Sequence, residues 1–117
     1  MGDTPQTPPS VELLVVAHCP NMVAAQAQLR AILDEFGFTA LTVQITVIRS
    51  DNEAVARGFT GSPSLRINGV DPSPDSGSVG MSCRLYRTAH GVFGLPDPVD
   101  VRAAISAACA YSISAVQ

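Results

Sequence analysis

Val15-Val16-Ala17-His18-Cys19-Pro20-Asn21-Met22 is the stretch that decides how this chain folds. On its N-terminal side, residues 12–17 carry Leu13, Leu14, Val15 and Val16 without a break, the pattern of a central strand covered on both faces. On its C-terminal side, residues 21–36 set Val23, Ala24, Ala27, Ile32, Leu33 and Phe36 at helical spacing. Pro20 suits a first helical turn, where its missing N–H costs nothing, and Gly37 is a natural stop. Cys19 is therefore expected where a strand ends and a helix begins. The partial positive charge and free N–H groups of a helix N-terminus favour a thiolate, which is both the nucleophile and the soft-metal ligand.

Working outward, Leu41, Val43, Ile45 and Val47 alternate as a strand does. Ser50-Asp51-Asn52-Glu53 reads as a capping box opening a short helix that Gly58 ends. Strand, helix, strand and helix at these lengths imply a parallel, right-handed crossover. The second half changes style. Residues 64–67 read as a short strand, Asn68-Gly69 as a hairpin turn, and Val70 as the start of a return strand. Residues 71–80 are a loop by composition, 81–87 a strand or an irregular edge, and 88–96 a loop. Asp97-Pro98 opens a last helix with Val101, Ala104, Ile105 and Ala108 on its inner face. Residues 1–10 read as a flexible leader, and 11–113 as one domain without internal repeats.

Composition narrows the function classes. The chain has 117 residues, 46% of them apolar, which suits one modest core. All seven cations are arginines, scattered along the chain, and the net charge is −3. A Schiff-base mechanism is excluded, and scattered arginines without tryptophan make a poor nucleic-acid surface. No apolar run reaches membrane-spanning length, so no membrane partner is expected. Three cysteines, at 19, 83 and 109, with no export signal in residues 1–10, favour a reduced, cytoplasmic protein. With two histidines they lack the paired spacing of a zinc site, so neither a metal nor a cofactor is expected.

Two segments carry a resemblance. Cys19-Pro20-Asn21-Met22 looks like the Cys-x-x-Cys motif of the thioredoxin-like superfamily with its second cysteine replaced by Met22, and Ser62-Pro63 falls where that family has its cis-proline. Residues 61–71 (Gly-Ser-Pro-Ser-Leu-Arg-Ile-Asn-Gly-Val-Asp), followed by Ser82-Cys83-Arg84-Leu85-Tyr86, are similar to small bacterial thioredoxin-fold proteins. Some of these carry an alkylmercury-lyase label, although the similarity is to the scaffold and not to an organomercurial-cleaving site. The resemblance runs from about residue 12 to 111. It implies an α/β, thioredoxin-like fold, β-α-β-α-β-β-α, with a central mixed four-stranded sheet flanked by helices and a loop insertion at 71–80. It also implies a cis peptide before Pro63, which would lay a strand edge beside the thiol. The plain alternative for Pro63 is an ordinary trans-proline at a strand's start.

The candidate catalytic residues are Cys19, Pro63 and Cys83, and the candidate substrate groove is His18, Pro20, Met22 and Ser62. Met22, a thioether, cannot resolve a mixed disulfide, so exchange within the motif is closed. Cys83 is the candidate resolving thiol, if the preceding loop folds back over the helix start; otherwise it is a buried thiol on an edge strand. Cys19 itself reads as an exposed, reactive thiol or as a small buried hydrophobe. Cys109, among Ala107, Ala108 and Ala110, reads as core. Arg84 and Arg87, flanking Tyr86, read as a solvated face or as the grip for an anion such as a glutathione carboxylate. The first hypothesis is a thiol-redox protein acting on a thiol or disulfide substrate. The rivals are a catalytically inactive binding module and a soft-metal (mercury or copper) thiol protein. Oligomeric state is not readable from the sequence.

Overall fold

The computed structural model describes residues 8–73, 79–88 and 90–116. Its centre is β1 (Val11–Val16), which pairs in parallel with β2 (Gln44–Ile48) and antiparallel with β4 (Ser64–Ile67), giving the order β2-β1-β4. Helix α1 (Met22–Glu35) connects β1 to β2, as a parallel pair requires. Helix α2 (Asp51–Arg57) and the short β3 (Thr60–Ser62) lead into β4. Three further short strands follow, β5 (Gly80–Cys83), β6 (Tyr86–Thr88) and β7 (Gly91–Phe93), and then helix α3 (Pro98–Val116). The architecture is mixed α/β, with three helices and three small sheets among the described residues.

The alternation of β1 explains why its run is apolar throughout. Val11, Leu13 and Val15 face α1 and α3, where they meet Leu29, Ile32, Leu33, Val101 and Ile105 directly or through neighbours. Leu14 points the other way, into a second cluster with Ile48, Ala54 and Phe59. Burying a side chain of this size stabilises the fold by about 1.5–3 kcal/mol relative to leaving it in water. Glu12 interrupts the run at little cost. Its carboxylate accepts from Thr46 Oγ1 and Arg57 Nη2, each at 2.6 Å. Burial pushes this carboxyl up, but those two hydrogen bonds and the charges of Arg57 and Arg66 outweigh it and hold it below its ordinary value.

Local signals set several ends. Ser50 Oγ accepts from Glu53 N at 3.1 Å and Gly58 closes α2 in the left-handed conformation, φ +61°. Asn68 and Gly69, both at positive φ, turn the chain so that Ile67 and Val70 exchange two backbone hydrogen bonds. Asp97 Oδ1 accepts from Val99 N at 3.0 Å and starts α3.

Elsewhere the structure corrects the sequence reading. The expected four-stranded sheet has three strands, because the return strand reduces to a single Ile67–Val70 bridge. Asp71 then bends the chain by accepting from Ser73 N, and Pro72 has no N–H to extend a ladder. β2 starts at Gln44, not Leu41, because Arg30 takes the carbonyls of Phe38 and Leu41 and holds that segment as a loop. Residues 88–96 hold a strand, β7, that closes a hairpin with β6. Segment 81–87 breaks in two at Arg84, whose side chain turns inward. The proposed leader is part of the fold by its last residues: Pro9 is buried, and Ser10 exchanges two hydrogen bonds with Asn68. Its residues 1–7, and 74–78 of the loop insertion, lie outside the described residues.

Candidate active site

β1 ends at Val16, and the chain turns at once. His18 adopts φ +59°, a conformation that non-glycine residues rarely take. That reversal brings Cys19 N onto Val16 O at 3.3 Å, and Cys19 O in turn accepts from Met22 N at 3.2 Å. Helix α1 begins at Met22 with Asn21 as its N-cap, so Cys19 and Pro20 stand just ahead of the helix rather than in its first turn. Pro20 is exposed. Cys19 is only 8% exposed and belongs to a cluster with Leu13, Val15 and Ala25, against which Met22 also packs. The thiol is thus shielded, contrary to the exposed reading, while its neighbour His18 faces solvent. Local reversal at His18 explains the difference.

The Ser62–Pro63 peptide is cis. Ser62 is fully buried, and its Oγ accepts from Val16 N at 3.0 Å, pinning this corner to the end of β1, three residues before Cys19. On its other side Ser62 pairs in register with Cys83, and Ser62 O accepts from Arg84 N at 3.0 Å. The Ser62–Pro63 corner therefore sits between the loop that bears Cys19 and the strand that bears Cys83. Cys83 is exposed, and all three cysteines are free thiols. Cys109 lies in the core between α1 and α3, where burial pushes its thiol up. Among the described residues no three or more His, Cys, Asp or Glu side chains gather into a metal-binding group.

Arg84 is neither on a solvated face nor free to grip an anion. It is 3% exposed. Its Nη1 donates to Asp71 Oδ2 at 2.6 Å and to Ser64 Oγ at 3.2 Å, and its Nη2 donates to Ser73 O at 3.0 Å. The guanidinium lies over the Tyr86 ring, 4.5 Å from the centroid. A buried charge is tolerable only with such partners. Tyr86 in turn donates its hydroxyl to Pro63 O, and burial pushes its phenol up to about 12. Arg87, by contrast, is exposed. Gly61 lets the two strands close: a Cβ there, at φ +118°, would lie 2.9 Å from Arg84 Cβ.

Sequence reasoning missed two parts of this region. One is the bracing set Asp71, Arg84 and Tyr86. The other is residues 94–96, beside the Cys19 loop: Gly94 abuts Asn21, Leu95 packs on the Cys19 cluster and Pro96 O accepts from Gln28 Nε2 of α1 at 3.0 Å. Pro96, in a segment read as loop, and Arg84, just after one, carry no local pattern that would have marked them as buried. No helix among the described residues is long and apolar enough to cross a membrane. Comparison with protein-family models, with curated proteins and with solved structures found no match to this chain.

Proposed function

We propose that this chain is a thioredoxin-like thiol-redox protein that works in a reducing, cytoplasmic setting, with Cys19 as nucleophile and Cys83 as resolving thiol. The observation that carries the reading is the double anchoring of the Ser62–Pro63 corner, bonded on one side to Val16 and on the other paired with Cys83. The parallel β1–β2 pair with its helical connection and the antiparallel β4 are compatible with the proposed fold. The Cys19 thiolate attacks a substrate disulfide, a sulfur–sulfur bond breaks, and one substrate thiolate leaves. The Cys83 thiolate then attacks the Cys19 sulfur of the mixed disulfide and releases the second. The substrate gains two electrons, the protein is left with a Cys19–Cys83 disulfide, and an external dithiol restores it.

The test uses oxidised glutathione and peptide mass mapping. Cleavage after arginine puts each cysteine in a separate peptide. The wild-type protein is expected to lose two hydrogens and to link the peptides of Cys19 and Cys83. Cys83→Ser is expected to stop at a glutathione adduct on Cys19. Modification confined to Cys83 in the wild-type protein refutes the assignment. The burial of Cys19 favours one rival, a binding module without thiol chemistry. Under that reading Cys19→Ser leaves partner binding unchanged, and the wild-type protein forms no adduct at Cys19.

A further inference from the structure

We propose that residues 94–96 form a removable strap over the Cys19 loop, and that lifting it governs access to the thiol. This deepens the redox reading, and its regulatory meaning rests on that reading. The strap makes three contacts: with the loop, with the Cys19 cluster and with α1. Gly94 abuts Asn21 so closely that an added Cβ would fall 2.3 Å from Asn21 Nδ2. Leu95 packs on the cluster of Leu13, Val15, Cys19 and Ala25. Pro96 is buried and its carbonyl accepts from Gln28 on α1.

The rest of the enclosure is built differently. Leu13, Val15 and Val47 stand on paired strands, and Ala25 and Met22 on a helix. Val43 runs directly into β2. Moving any of these breaks a ladder or a helix. The strap belongs to neither. The hairpin before it, β6–β7, forms a sheet of its own with no ladder to the central sheet, and its Val92 and Phe93 are at least half exposed. Behind Pro96 lies an apolar cavity of about 10 Å³, lined also by Tyr86, Pro63 and Ala25, so Pro96 lacks packing partners on that side. Segments with few buried contacts open at lower free energy than the whole fold. The strap thus combines tight cover with weak attachment.

The experiment measures the rate at which methyl methanethiosulfonate, a neutral thiol reagent, labels each cysteine at one pH, read by peptide mapping. Gln28→Ala removes the strap's side-chain hydrogen bond and Leu95→Ala its apolar contact. Cys109, in the separate core between α1 and α3, reports general unfolding. Expected is a rise of about fivefold at Cys19 in Gln28→Ala, the Boltzmann factor of one ordinary hydrogen bond, and more in Leu95→Ala, with Cys109 unchanged. Unchanged Cys19 labelling in both variants overturns the strap. So does a parallel rise at Cys19 and Cys109, which means loss of the fold. Fast methanethiosulfonate labelling of the opened variants, without any glutathione adduct at Cys19, refutes the redox reading and leaves the strap standing. An adduct at Cys19 with labelling unaffected by either substitution does the reverse.

Discussion

Replacing Tyr86 by phenylalanine gives a sharp test of the bracing around Pro63. The Tyr86 hydroxyl donates to Pro63 O, and the ring is buried beneath Arg84. At neutral pH Tyr86→Phe leaves that carbonyl without its donor, at a cost of about 1–3 kcal/mol. The pH dependence is more diagnostic. Burial raises the phenol from 10.0 to about 12, so the folded state holds the proton more firmly than the unfolded chain does. The stabilisation is complete below pH 10 and is lost as pH rises through about 12. Two units at about 1.4 kcal/mol each make a ceiling of about 2.7 kcal/mol. At about pH 11.5 the unfolded phenol is almost fully ionised and the folded one only about a quarter, so about 2 kcal/mol of that is gone. Urea unfolding of wild type and Tyr86→Phe from about pH 8 to 11.5 is expected to show the two converging by about 2 kcal/mol at the upper end. Groups common to both proteins cancel in the difference. Phenolate absorbance gives a second readout, with one of the chain's two tyrosines ionising late. A stability difference that stays constant with pH, or two tyrosines that both ionise at the ordinary value in the folded protein, would show that Tyr86 is not held as described.

Three further outcomes follow from the same contacts. Asp71→Asn strips the carboxylate from buried Arg84 and is expected to destabilise the protein by about 3 kcal/mol, whereas Asp71→Asn with Arg84→Met costs less than the single change; urea melts giving the opposite order contradict the assignment. Gly61→Ala is expected to cost more than about 2 kcal/mol, because both its positive φ and the approach of Arg84 reject a side chain, and to deprotect the Arg84 amide in hydrogen exchange. Glu12 contributes stability that is present above the ordinary carboxyl range and fades as pH falls below about 4.5; an acid melt of Arg57→Met, which loses the largest charged partner, is expected to show a smaller acid-linked loss than wild type.

What the chain alone determined is whatever nearby residues settle among themselves. The unbroken run before Ala17, the helical spacing of α1, the Ser50 cap, the Asn68-Gly69 turn and the Asp97 start of α3 all draw on periodicity or on hydrogen bonds a few residues long. The mixed α/β class follows from their order. The tertiary structure alone decided the pairing of β3 with β5, the inward turn of Arg84 and the shielding of Cys19. Each depends on groups that meet only when the chain closes: Asp71 with Arg84, Tyr86 with Pro63, and Pro96 with Gln28. An arginine is ordinarily a surface residue and Cys19 could be read as exposed or buried, because sequence spacing carries no record of a partner far along the chain. Only close packing supplies the partner and removes the water.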